Sequence, residues 1–331
     1  MRTTIEVFGI QIKKRGELLD FGEDPDFFDI LSSKDCGFVH HVDMNKTGDI
    51  PVLQRTVRIP AEEINAEGET VKYHHRNVEE RYICGIIETG AYGKEYEIAD
   101  KDSPNDIAYK VDKDQAIIKP FFYFLKIPRR GSKALLILER TDNEGIFPLM
   151  VILLKTFINN YYGIDKGYSI EKTNIILSSY LEELNTGRYN SVTLTASKES
   201  SDTANRYFGN LDRADYTMEL VVKFKNNLGQ DKENDIKRMI NSKEVLFESS
   251  ELNDIFDNAN RKVTTTIGTG KQAKTRTLYL NSMQQDLIRP YYDLIVDTNT
   301  KGFSSYVSIK EKVKAFICLL YTSPSPRDMR R

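Results

Sequence analysis

Apolar and polar residues alternate along much of the chain up to about residue 140, and the spacing then turns helical. Ile5–Lys13 alternates from Ile10 onward, which predicts a half-buried strand. Pro25–Leu31 predicts a short helix with proline at its start. Gly37–Met44, Val52–Ile59 and Thr70–His75 read as short strands bounded by turn residues. Arg81–Thr89 and Lys94–Ile98 flank Gly90-Ala-Tyr-Gly93 and predict a hairpin, and a strand follows at Ala108–Val111. Ile117–Ile127 and Ala134–Glu139 are the most apolar runs and are expected at the sheet centre. Pro120 should mark an edge or a bulge, because proline has no N–H to give a ladder.

From Glu144 to Tyr162 the apolar positions 146, 149, 150, 153, 154, 157 and 161 form one broad helical face. Pro148 suits its first turn and Gly163 its end. Helices are further expected at Asn174–Asn185, Asp231–Ile240 and Glu251–Phe256. Strands are expected at Ser191–Ala196 and Tyr216–Lys225, and a hairpin from Arg261–Ile267 and Lys274–Leu280. Ser308 and Glu311 have the spacing of a capping box opening a helix to Ile317. The fold class that follows is α+β, with a mixed, largely antiparallel sheet and a buried helix near 144–162. The expected division is a strand-rich domain at 1–143 and a mixed α/β domain at 144–317.

Composition adds limits. The chain of 331 residues is long enough for a well-buried core. An apolar fraction of 40% and a charged fraction of 29% are those of an ordinary soluble protein. The longest apolar run, Ile146–Ile158, is broken by Pro148 and Lys155 and is too short for a membrane span. Met1-Arg-Thr-Thr leads directly into a strand pattern, so no signal peptide is expected, and the expected location is cytoplasmic, away from membranes. A formal charge of −2 gives no global nucleic-acid footprint. No motif identifies a cofactor.

The segment Cys318-Leu-Leu-Tyr-Thr-Ser-Pro-Ser-Pro-Arg-Asp328 resembles a translated transposase-type sequencing adapter. That resemblance implies a non-native tail at 318–331, a metagenomic origin and a natural chain that continues past Ile317. Setting aside Arg327, Asp328, Arg330 and Arg331 makes the charge two units more negative. It leaves Cys36 and Cys84 as native thiols, too few for a disulfide framework.

Several constellations suggest chemistry. The histidines come as two pairs, His40-His41 and His74-His75, in strand-like segments near Cys36 and Cys84. A mixed His/Cys zinc site needs four such ligands in bonding range, and none of the close spacings is present. Gly268-Thr-Gly-Lys271 lacks the flanking residues of a phosphate loop and lies between strands, so a hairpin turn is the better reading. That hairpin is basic, with Arg261, Lys262, Lys271, Lys274 and Arg276, and Tyr279 offers a stacking face. A second basic turn holds Lys126, Arg129, Arg130 and Lys133. Both could track a phosphate backbone, or could simply be solvated surface charge. Asp215, Glu219 and Lys223 are the nearest approach to a metal-dependent nuclease core, but the acid-x-Lys spacing is not met.

Gly85–Gly93 through Tyr96-Glu-Ile98, Pro120–Pro128, Leu135–Arg140 and Arg289-Pro-Tyr-Tyr292 resemble segments of uncharacterised bacterial proteins from mobile-element or phage-defence loci. The resemblance implies a setting and no catalytic residue. Two functional classes remain. One is a nucleic-acid- or protein-binding component of such a locus, whose partner is nucleic acid or another protein. The alternative is a metal-dependent nuclease or other hydrolase.

Overall fold

The computed structural model describes residues 1–23, 26–43, 49–61, 63–64, 70–142, 144–163, 167–175, 177, 188–197, 217–225, 231, 233–235, 260–267, 274–279 and 291–322. In chain order the elements begin with β1 (Arg2–Lys14), β2 (Glu17–Leu18), α1 (Phe27–Ser32), α2 (Phe38–Asp43), β3 (Asp49–Ile50) and β4 (Arg55–Arg58). Next come β5 (Glu63–Ile64), β6 (Thr70–Val71), β7 (His74–Asn77), β8 (Tyr82–Ala91), β9 (Tyr96–Ala99) and β10 (Ile107–Val111). Then follow β11 (Lys119–Lys126), β12 (Ala134–Thr141), β13 (Glu144–Gly145), α3 (Phe147–Tyr162) and β14 (Tyr168–Asn174). The last are β15 (Arg188–Ser197), β16 (Thr217–Lys223), β17 (Asn260–Ile267), β18 (Lys274–Tyr279), β19 (Tyr291–Ile295) and α4 (Tyr306–Thr322). Strands dominate, with a large sheet and few helices, and every pairing among the described residues is antiparallel.

The chain forms two compact units. The first comprises Met1–Ile175 with Pro290–Thr322, and the second is built from Ile176–Arg289. The contacts thus divide the chain elsewhere than at residue 143, because α3 packs into the same core as the strands that precede it. The first unit carries an eleven-stranded sheet whose main path runs β14-β1-β12-β11-β8-β4-β3. The two most apolar strands, β11 and β12, are central, as their composition predicts.

The central strands β1, β8, β11 and β12 are buried on both faces, which explains why they are apolar at consecutive positions. One face carries Phe8, Ile10 and Ile12 of β1, Leu136 and Leu138 of β12, and Phe121, Tyr123 and Leu125 of β11. α3 lies on it through Leu149, Met150, Leu153, Leu154, Phe157 and Ile158. Burying each such side chain contributes ~2 kcal/mol. Ile158, not Tyr161, completes the helix face: Tyr161 is exposed. By alternation the opposite face presents Ile5, Val7, Ile137, Phe122, Phe124, Tyr82 and Cys84, all buried. α4 contacts β8, β11 and β19 and buries Tyr306, Ile309, Val313, Phe316 and Ile317.

Three local expectations are corrected. Gly37–Met44 is not a strand: Phe38 and Val42, four residues apart, bury one face of helix α2. Gly37 allows the tight approach from α1, since a Cβ there would strike the Ser33 and Leu31 carbonyl oxygens. The hairpin about Gly90–Gly93 is absent, because β8 runs through Gly90 to pair with β4, β7 and β11, while β9 pairs with β10. Ser308 does not cap its helix. α4 opens earlier, Ile309 N–H donates to Ser305 O, and the Ser308 hydroxyl accepts from Asp297 N–H at 3.0 Å. The helix continues through Cys318 to Thr322, with Cys318 and Leu319 exposed.

The second unit contains a four-stranded sheet ordered β16-β15-β17-β18. The expected hairpin is present as β17–β18. Of the expected helix at Asp231–Ile240, residues 231 and 233–235 are helical. Asn174 belongs to β14, and most of the helix expected after it lies outside the described residues, as does Glu251–Phe256.

Candidate functional site

The turn between β11 and β12 carries Arg129, Arg130 and Lys133, all exposed. No ion pair with a described residue occupies any of the three. The turn itself is held firmly. Ile127 N–H donates to Arg81 O at 2.9 Å, and Phe21 N–H donates to Gly131 O at 2.9 Å. Gly131 N–H donates to the Asp20 carboxylate at 3.1 Å. Gly131 has φ of 96°, a conformation that favours glycine. Gly22 presses against the Arg129 carbonyl, where a Cβ would collide.

Arg81 anchors the base of the same turn. Its guanidinium donates to Ile127 O and Pro128 O, both at 3.2 Å. It also forms a two-pronged contact with the Asp26 carboxylate at 2.8 and 2.7 Å, and lies 5.0 Å from the Phe28 ring centroid. Asp26 in turn caps α1 by accepting from Phe28 N–H at 2.8 Å. The Arg81 hydrogen bonds lower the Asp26 carboxyl below its ordinary pKa despite partial burial.

The other basic candidates lie in the second unit. Arg261 and Lys262 are on β17, Lys274 and Arg276 on β18, and Lys271 lies outside the described residues. Backbone register pairs position 262 with 279, 265 with 276 and 267 with 274. Positions 261, 274 and 276 therefore share one parity of the ladder and 262 has the other, so the four do not form a single row. Glu219 and Lys223 are exposed on β16, opposite Thr195 and Ser191. Four residues of strand set them roughly 13 Å apart. Asp215 lies outside the described residues.

The histidines are not all on strands. His40 and His41 are in α2; His41 packs on Phe157 at 5.8 Å between centroids. His74 and His75 are on β7 and face opposite sides: His74 meets the Tyr123 hydroxyl at 3.2 Å, and His75 packs beside Tyr82. Among the described residues no group of three or more His, Cys, Asp and Glu side chains is arranged to hold a metal.

Burial lowers His74 from 6.5 to about 4, and its Nε2 has no hydrogen-bond partner. A histidine depressed in the folded state contributes stability that is present above pH 6.5 and lost as pH falls toward 4. The loss expected across that window is up to ~3 kcal/mol. Denaturation midpoints of wild type and His74→Phe, measured at pH 7 and 4.5, check it: the variant should lose less stability on acidification.

Cys84 is buried against the Tyr306 hydroxyl at 3.6 Å, and burial raises its thiol to about 11. Such a thiol is poorly nucleophilic. Cys36 and Cys318 are exposed. Maleimide labelling followed by mass spectrometry should modify those two in the native protein and reach Cys84 only on unfolding.

A cleft that the motifs did not indicate opens on the α4 side of the sheet, with a volume of about 570 Å³. Ile86, Pro120, Tyr73, Phe303, Arg58, Glu88 and Lys301 are among the residues that line it. Arg58 Nε donates to Glu88 at 2.6 Å. The far wall is the segment Thr298–Ser305. There the Asn299 side-chain oxygen accepts from the N–H groups of Lys301 and Phe303 at 3.0 Å, and Gly302 supplies φ of 86°.

Beneath that wall lies Glu139, only 4% exposed. The β11–β12 ladder stops at Tyr123 and Leu138. One residue farther, Phe122 N–H donates to the Glu139 carboxylate at 3.1 Å. Thr3 Oγ donates to it at 2.8 Å and Ser304 Oγ at 2.5 Å. Pro120, with no N–H, sits where the ladder has ended, and its carbonyl accepts from Thr141 Oγ at 3.1 Å. Burial raises the Glu139 carboxyl against the opposing pull of these bonds. A carboxylate so placed could accept a proton from Ser304, but two of its three donors are structural. The arrangement ties β1, β11 and the cleft wall to one anion. A signal for it was present in the sequence: Glu139 continues the parity of Leu135 and Ile137 inside an apolar strand.

No helix among the described residues is long and apolar enough to cross a membrane. Comparison with protein-family models, with curated proteins and with solved structures found no match to this chain.

Proposed function

We propose that this α+β chain is a cytoplasmic nucleic-acid-binding component of a bacterial mobile-element or defence locus, with Arg129, Arg130 and Lys133 on the phosphate backbone. The carrying observation is the rigid turn. Three exposed cations with no acidic partner among the described residues sit on a segment whose carbonyls and N–H groups are already held by Arg81, Asp20 and Phe21. Cations on a pre-ordered segment bind phosphates with little ordering cost. The bacterial setting rests on the resemblance in β8, β11 and β12, and the reading uses no residue beyond Ile317. A nuclease would need several acids gathered with Lys223, whereas Glu219 and Lys223 stand apart on an exposed strand. Fluorescence anisotropy with labelled single- and double-stranded oligonucleotides at low salt tests the proposal. Binding that is lost in Arg129→Glu/Arg130→Glu supports it, and no binding to either oligonucleotide overturns it.

A further inference from the structure

We infer that the nucleic acid held at the basic turn is single-stranded and that Tyr161 stacks on one of its bases, with Arg15 on a neighbouring phosphate; this rests on the reading of that turn given above. Strand pairing brings these segments to one end of the large sheet. β1 runs alongside β12 with Ile10 opposite Ala134, so Lys14 and the β11–β12 turn lie beyond the same end of that ladder. Leu19 N–H donates to Ile12 O and Phe21 N–H to Gly131 O, both at 2.9 Å, so the chain leaving the β1–β2 turn runs onto the basic turn. Along the other edge of β1, Lys14 stands opposite Tyr168 of β14. α3 ends here as well: the Tyr162 ring stacks on that of Tyr168, with centroids 5.0 Å apart.

Tyr161 is the most exposed of these three rings. Its centroid is 4.9 Å from that of Tyr162 in a T-shaped contact, and it is 44% exposed, whereas Tyr168 is buried. A half-exposed ring braced in this way gives a nucleobase a stacking partner with little side-chain freedom left to lose. Arg15 is exposed and forms no ion pair with a described residue. Its backbone is fixed: its N–H donates to Gly167 O at 3.0 Å, and its φ is 50°. Lys14 is left out of the count, because Glu17 stands opposite it in the β1–β2 ladder. Aromatic rings beside cations that follow a phosphate backbone are the means by which single strands are held without regard to sequence. A duplex keeps its bases stacked on one another, so it could engage the cations but not Tyr161.

Fluorescence anisotropy of the full chain at low salt tests this, with a labelled, unstructured single-stranded oligonucleotide and with the duplex it forms with its complement. The single strand should bind more tightly by about fivefold or more. Tyr161→Ala and Tyr161→Leu should each weaken single-strand binding by about fivefold or more, and Tyr161→Phe should leave it unchanged. All three should leave duplex binding as it is. Arg15→Gln should reduce the magnitude of the single-strand salt slope by about 0.7. The inference is overturned if the duplex binds as tightly as the single strand, if Tyr161→Leu keeps the wild-type affinity, or if Arg15→Gln leaves the slope unchanged. Should Arg129→Glu/Arg130→Glu still abolish binding in those cases, the phosphate-binding turn stands without the stacking site. Absence of binding to either oligonucleotide, or binding that survives Arg129→Glu/Arg130→Glu, overturns the turn and the stacking site together.

Discussion

Glu139→Ala is expected to destabilise the first unit by about 3–5 kcal/mol, because it strands three buried donors at once. The Thr3 and Ser304 hydroxyls can rotate in search of other acceptors, but Phe122 N–H is fixed by the backbone and lies beyond the end of the β11–β12 ladder. The lost side chain also leaves a void between β1, β12 and the cleft wall. Glu139→Gln should cost much less, since its amide oxygen can still accept from Phe122 N–H and its amide NH2 can donate to the two hydroxyl oxygens. Urea unfolding of both variants checks the ranking. The pH dependence gives a second signature. The folded-state pKa of Glu139 is raised, so the folded protein holds the proton more tightly than the unfolded chain. Its contribution to stability is therefore greatest below the unfolded value and falls as pH rises toward the folded value. Glu139→Gln should remove that component, which has the opposite sign to that of His74.

Arg81→Ala should cost about 3 kcal/mol and should also weaken nucleic-acid binding, although Arg81 itself is turned inward. Its side chain is 11% exposed and that of Asp26 is 27% exposed, so the pair is shielded enough for charge-assisted bonds to count. Removing it frees the Ile127 and Pro128 carbonyls and leaves Asp26 without its cation. The Asp26 pKa is lowered in the folded state, so its contribution is present above the ordinary aspartate value and is lost as pH falls through the folded value. Arg81→Ala should flatten that acid limb. Arg81→Lys should restore the charge but not the two-pronged geometry, and so should recover only part of the stability. Urea unfolding against pH, together with anisotropy on the same preparations, separates loss of fold from loosening of the turn.

The long, strongly patterned elements were legible in the sequence. β1, β11, β12 and α3 follow from alternation or helical spacing, and the central place of β11 and β12 follows from their apolar runs. Short segments were not legible for specific reasons. Phe38-Val-His-His-Val-Asp43 satisfies both a strand and a one-sided helix, and only packing against α3 selects the helix. Gly90 looks like a turn residue, yet here glycine lets β8 pass close to the Ile117 carbonyl. The basic turn was found as a charge cluster, but its rigidity depends on Arg81 and Asp20, far away in sequence. The cleft was invisible because Arg58, Ile86, Pro120 and Phe303 meet only through sheet pairing and the placement of α4.

The central claim is that Arg129, Arg130 and Lys133 hold a phosphate backbone, and the salt dependence of nucleic-acid affinity tests it most directly. Three neutralised phosphates give a slope of log affinity against log salt of roughly −2 to −3. Each single charge reversal at these positions should reduce its magnitude by about one unit and weaken binding similarly for different sequences. Absence of binding at low salt, or an unchanged slope in the triple reversal, would contradict the account.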